Sequence, residues 1–202
     1  MVAQAPVRVP VLPALLGRRP ASLHHARAVA EALGPLAGAR VLEVGPGTGY
    51  YTLPVADWIG AGGRLDIFDV QQDMLDLTTR RARARGLDNI VATQGDARSL
   101  PYDDRSFDAA FLVSVPGEIP DQDDALRELA RVLRPGGRLV VGELFGDPHW
   151  VAPGALQRRA ETAGLRFEER IGRPLAYFAR LSRPTGAWTP TIVADDDERR
   201  ER

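Results

Sequence analysis

Between residues 41 and 52 the chain reads VLEVGPGTGYYT: a short apolar run that ends in an acid and then breaks into three glycines at alternate positions. Glycine turns the backbone into conformations closed to other residues and lets it approach a ligand closely. A buried strand, a glycine turn and a helix must therefore follow one another here, which few architectures accommodate. A dinucleotide loop has the spacing G-x-G-x-x-G, with a pyrophosphate against the helix N-terminus and an acid about 20 residues on. Here Gly45, Gly47 and Gly49 give G-x-G-x-G, with the third glycine one residue early. The match to a nicotinamide or flavin site is imperfect, yet the free N–H groups of the helix start still suit a carboxylate.

Strand and helix patterns alternate on either side of this loop. Ser22 reads as the N-cap of a helix with Leu23, Ala26, Val29, Ala30 and Leu33 at helical spacing, stopped by Gly34 and Pro35. RVLEV reads as a strand and TGYYTLPVADWIG as a helix beginning directly after the glycines. RLDIFD (strand), QDMLDLTTRRARARG (helix), NIVATQ (strand) and FDAAFLV (strand) follow; DALRELARVL is a helix ending at RPGG, and RLVVGEL a strand. After the helix GALQRRAETAG, the strands LRFEERIG and LAYFARLS are so closely joined that they should pair antiparallel. The expectation is an α/β fold: a doubly wound, mostly parallel seven-stranded sheet with a C-terminal antiparallel hairpin. One domain over 22–183 is expected, preceded by an extension, 1–21, whose proline-broken VPVLPALLG is a candidate lid over a cleft. A mobile charged tail, 184–202, follows it.

Residue inventory removes several chemistries. With 202 residues, 44% of them apolar, the chain has material for one full core. No cysteine occurs, which excludes disulfides, iron–sulfur clusters and thiolate nucleophiles. All 26 basic residues are arginine, so a lysine Schiff base and the phosphate-loop lysine are also excluded. A net charge of -1 gives no case for a nucleic-acid surface. No segment approaches the roughly 20 apolar residues of a spanning helix, and the N-terminus fits a secretory signal poorly. A cytoplasmic protein is expected.

Two further acids lie at strand ends, where ligands bind in open α/β sheets. Asp69 ends RLDIFD, where a carboxylate can accept both hydroxyls of a ribose, and Asp96 follows NIVATQ, where one can accept an adenine amine. Together VLEVGPGTGYYT, DIFDVQQDML, QGDARSLPYDDRSFDAAFLVS and ELARVLRPGGRLVV resemble, in order and spacing, the class I S-adenosylmethionine-dependent methyltransferases, above all the small quinone-biosynthesis type. The resemblance spans about residues 38 to 183 and implies the Rossmann-like methyltransferase fold. It implies S-adenosylmethionine as cofactor, its methionine end held by the backbone of Gly45, Pro46, Gly47 and Gly49 with Glu43 nearby. Asp69 would bind the ribose, flanked by Val70, Gln71 and Met74; Gly95, Asp96 and the Ala97 N–H would meet the adenine; Ser114 would sit by the methyl-bearing sulfur.

Catalytic residues are not legible, because methyl transfer rests largely on positioning and needs a base only when the acceptor must lose a proton. Glu118, beyond the fourth strand, is a candidate for orienting the acceptor or taking its proton, and also a candidate backbone cap. His24 and His25 are further candidates, yet neighbours on a helix point about 100° apart. His149 is the one remaining histidine, so no metal site is expected. Tyr50, Glu118, His149 and Trp150 are substrate-side candidates; of Tyr50 and Tyr51, one ring should pack inward. Arg80, Arg81, Arg83 and Arg85 read as a solvated helix face. The expected function is methylation of a small hydrophobic or aromatic acceptor of quinone-like or lipophilic character, with a homodimer compatible. The alternatives are a non-catalytic cofactor-binding regulatory or accessory subunit and an NAD-dependent oxidoreductase.

Overall fold

Apolar strands flanked by amphipathic helices have only one way to hide both strand faces, which is to layer the helices on either side of a sheet. The computed structural model describes residues 21–144, 147–173 and 175–186, the first five by backbone alone. The candidate lid before residue 21, the tail from 187 and the side chains of His24 and His25 lie outside the described residues. In chain order the elements are α1 (Ala21–Leu33), β1 (Arg40–Val44), α2 (Thr52–Ile59), β2 (Arg64–Asp69), α3 (Gln72–Arg83) and β3 (Ile90–Gln94). There follow β4 (Phe107–Val113), α4 (Gln122–Val132), β5 (Leu133–Glu143), α5 (Pro153–Thr162), β6 (Arg166–Arg173) and β7 (Ala176–Ser182). A 3-10 turn, Pro116–Glu118, links β4 to α4.

The seven strands lie in the order β3-β2-β1-β4-β5-β7-β6. Pairing is parallel from β3 to β5 and antiparallel at β5–β7 and β7–β6, the doubly wound sheet with a final hairpin that the sequence pattern predicts. Strand alternation sorts the side chains into two cores. One face buries Val41, Ile67, Phe111 and Val140 beneath α1 and α2; the other buries Leu42, Leu112, Leu139 and Val141 beneath α4 and α5. Each such large side chain contributes roughly 1.5–3 kcal/mol by leaving water. Chain order reverses between β1 and β4, so the loops after these strands diverge to opposite faces and open a crevice at their C-terminal ends.

Three boundaries differ from the sequence pattern. Ser22, expected as an N-cap, is the second residue of α1. The helix after the glycines begins at Thr52 and not at the glycines themselves, since Gly47 and Gly49 have φ of 51° and 82°, incompatible with a right-handed helix. Pro54 then falls in the first turn, where its missing N–H is not needed. The helix stops before RPGG as expected, but RPGG already belongs to β5, which starts at Leu133: Gly136 N–H donates to Arg183 O at 2.7 Å and Arg183 N–H to Gly137 O at 2.9 Å. The residue that follows β7 supplies pairing that a local reading misses.

Candidate active site at the strand ends

The glycine loop is packed against protein at two of its glycines and open at the third. A side chain at Gly45 would strike Val115, and one at Gly49 would press on Thr78 Cγ2 at 3.1 Å. At Gly47 it would meet nothing within 4 Å. The loop is anchored from α3: Thr78 Oγ1 donates to Gly47 O at 2.9 Å, and the Arg81 guanidinium donates to Thr48 O at 2.6 Å. Arg81 is therefore not simply part of a solvated face, as expected, although Arg80, Arg83 and Arg85 are exposed. Among the described residues the amides of Gly47 and Thr48 donate to no protein acceptor, and α2 opens without a side-chain cap. These N–H groups remain available to an anionic ligand.

Beneath the loop lies Glu43, 2% exposed, facing the α2 side of β1. Burial pushes its carboxyl up to about 8; the neighbouring Thr52 hydroxyl opposes the shift and Asp69 adds to it. The Thr52 hydroxyl lies close enough to act on the carboxyl, yet neither it nor Glu43 Oε2 makes a hydrogen bond of normal geometry, and both atoms are buried. A cation or donor arriving at the loop would find an unsatisfied carboxyl there.

Asp69 ends β2 in register with Gln94 at the end of β3. Its Oδ1 accepts from Gln71 N–H at 2.8 Å, and burial raises its pKa against that bond. Val70 beside it is 61% exposed, so its apolar face is open to a ligand at the strand ends. Gln71 is exposed and Met74 half-buried. Gly95 is required by packing, since a Cβ there would lie 2.5 Å from Phe68 Cζ, and its N–H donates to Asp69 O at 3.0 Å. Asp96 is exposed and already engaged: Arg98 Nη2 donates to Oδ2 at 2.6 Å and Nε to Oδ1 at 3.0 Å. That guanidinium holds the carboxyl below its ordinary range. The spacing D-A-R carried this contact, which the sequence reading passed over.

Across the crevice, Ser114 follows β4 with φ of 55°, a strained conformation for a residue with a side chain, held by its N–H donating to Gly142 O at 2.8 Å. The turn after it packs on the segment 147–150, because any side chain at Gly117 would overlap the His149 carbonyl. Glu118, exposed at this turn, is raised by burial of its carboxyl and by Asp147, and lowered by His149. His149 N–H donates to Asp147 Oδ1 at 2.8 Å. The structure thus brings Glu118 and His149 together, with Trp150 half-buried next to them. Tyr51 is the ring that packs inward and Tyr50 the one exposed, the two in edge contact at 4.7 Å. Glu143 was absent from the expected site. It ends β5 as Glu43 nearly ends β1, an acid closing an apolar strand, and that signal was legible in VVGEL. Among the described residues no cluster of three His, Cys, Asp or Glu is placed to hold a metal.

The site's residues suit a nucleoside with an amino-acid tail: open space and free amides at Gly47, a buried carboxylate at Asp69, and an uncovered apolar flank at Val70. Residues 41–137 match the family model described as a methyltransferase domain. The chain is 40% identical over 116 residues to the ubiquinone/menaquinone biosynthesis C-methyltransferase UbiE of Hahella chejuensis, covering 57% of this chain and 46% of that protein. To methyltransferase GfsG of Streptomyces halstedii it is 38% identical over 117 residues, 56% of this chain and 41% of that one. The chain spans about half the length of the curated relatives it matches. Among solved structures, a SAM dependent methyltransferase from Aquifex aeolicus superposes with a TM-score of 0.72 at 23% identity, over 78% of this chain and 88% of that one. The [4+2]-cyclase SpnF superposes equally, with a TM-score of 0.72 at 24% identity over 81% of each chain. At such identities the likeness is one of fold, which hosts more than one chemistry.

Proposed function

We propose that this chain is a class I S-adenosylmethionine-dependent methyltransferase that moves a methyl group from S-adenosylmethionine to a small, lipophilic aromatic acceptor. The observation that carries the reading is the open side of the glycine loop at Gly47, flanked on the next strand by the buried Asp69. When bound, the cofactor supplies a methyl group on a sulfonium. The amides of Gly47 and Thr48 would receive its carboxylate, and its ammonium would draw the Glu43 carboxyl, protonated near pH 7 without ligand, into the charged form. Asp69 accepts the ribose hydroxyls, Val70 and Met74 flank the base, Gln71 borders the ribose, and the Ala97 N–H and Asp96 meet the adenine edge beside Gly95. Ser114 borders the reacting methyl. Orientation of two reactants in this way is worth roughly 7 to 11 kcal/mol of barrier.

For the acceptor, support comes from the aromatic surface that Tyr50 and Trp150 contribute, and from relatives named as quinone C-methyltransferases. Glu118 and His149, beside each other at the β4 and β5 ends, orient the acceptor. The early third glycine argues against a nicotinamide site. Incubation with methyl-labelled S-adenosylmethionine and a panel of hydroxylated aromatics tests the reading. The expected result is acceptor-dependent S-adenosylhomocysteine, lost in Asp69→Ala. Tight cofactor binding with no turnover on any acceptor would favour a binding-only accessory subunit instead.

A further inference from the structure

Two buried polar atoms near the β5 end have no protein partner: Glu143 Oε1 and Trp150 Nε1. Leaving such atoms unpaired in the interior is costly, so each invites an explanation. Glu143 is 1% exposed at the end of a strand whose preceding residues are apolar. Its other oxygen, Oε2, is reached only by Val151 N–H at 3.4 Å. Val151 O accepts from the Tyr177 hydroxyl at 2.7 Å, and Tyr177 is the cross-strand partner of Glu143 on β7. The Trp150 ring stands edge-on to Tyr177 at 6.4 Å. Both orphan atoms thus belong to side chains gathered around Val151 and Tyr177. The same place adjoins the crevice: Gly142 O holds the strained Ser114, and the turn at Gly117 rests on His149.

The chemistry of the orphans narrows what could satisfy them. An indole N–H only donates, so its partner must accept; a carboxyl oxygen receives a donor. An ammonium cannot accept. A carboxylate or phosphate would face Glu143, Asp147 and Glu118, with His149 the one basic group among the neighbours that act on these acids. A neutral hydroxyl does both tasks with one atom, and an aromatic body suits the Trp150 and Tyr177 rings. We infer that Glu143 and Trp150 form a recognition pair for one hydroxyl of a neutral aromatic molecule. Naming that molecule the methyl acceptor rests on the proposed methyltransferase reading; the recognition itself does not. Burial raises the Glu143 carboxyl to about 7, which keeps a neutral form accessible near physiological pH and fits a neutral partner.

The test is calorimetric titration of the full chain with 2-naphthol and with its methyl ether, 2-methoxynaphthalene. The alcohol should bind at least about tenfold more tightly than the ether, since the ether leaves Glu143 without a donor. Trp150→Phe and Glu143→Leu should each erase most of this preference, with S-adenosylhomocysteine affinity retained as the sign of an intact fold. Equal binding of alcohol and ether, binding of neither, or a preference that survives in Trp150→Phe would overturn the inference. Failure of the wild type to bind S-adenosylhomocysteine would sink the methyltransferase reading while leaving the alcohol preference as an independent result.

Discussion

At the ends of β1, β2 and β3 the crevice is lined chiefly by main chain and by acids at or near the strand ends, all from consecutive loops. At the ends of β4, β5 and β7 it is lined by side chains that meet only through the fold, as Gly117 meets His149 and Tyr177 meets Val151. The first half, the proposed donor side, is held rigid by close backbone approach, with Gly45, Gly49 and Gly95 each placed where a Cβ would crowd a neighbour. The second, the proposed acceptor side, keeps unsatisfied polar atoms at Glu143 and Trp150. A rigid frame suits a ligand of fixed shape, and adjustable side chains suit one that varies among related enzymes.

The largest expected effect probes the buried acid of the donor side. Folding raises the Glu43 carboxyl from its ordinary 4.5 to about 8, so the folded state keeps a proton that the unfolded state has lost. That contribution is complete below pH 4.5 and disappears as pH rises to about 8. Across this window ligand-free stability should fall by something on the order of 3–5 kcal/mol. Glu43→Gln should abolish that part of the slope in denaturant unfolding measured at several pH values. Parallel slopes in the two proteins would mean that Glu43 does not keep its proton in the folded state over this window.

Next in size, Asp69→Ala should weaken S-adenosylmethionine by about 1.5–3 kcal/mol, the worth of hydrogen bonds to a charged group, with the unfolding midpoint little changed. Undiminished affinity would remove Asp69 from the donor side. Gly45→Ala and Gly47→Ala then separate packing from ligand approach. The first meets Val115 and should cost roughly 1–3 kcal/mol of stability; the second meets no protein atom and should cost less stability but more cofactor affinity. The reverse order would place the open side of the loop elsewhere. Smallest of all, Arg98→Ala breaks an exposed ion pair with Asp96 and should leave the melting temperature unmoved.

Much of the donor side is legible in the linear sequence because its parts are local: a strand, its following loop and the acid at its end lie within a dozen residues. The sheet and its final hairpin are legible for the same reason, since alternation and loop length are local properties. The helix start at Thr52 was not, because the glycines that suggest a helix N-terminus are also the residues whose positive φ forbids one. The helix end before RPGG is legible, but the early start of β5 is not, because its pairing partner, Arg183, lies far along the chain. Arg81 looked like one solvated charge among four, and only the folded contact with Thr48 distinguishes it. Glu143 and the closeness of Glu118 to His149 depend on strand order, which no local pattern contains.

The most direct test of the central claim is calorimetric titration of the purified chain with S-adenosylmethionine, S-adenosylhomocysteine and NAD in parallel. Saturable binding of the first two, without NAD, is the predicted result. Binding of NAD alone, or of none of the three, would contradict the reading of the glycine loop on which the donor side rests.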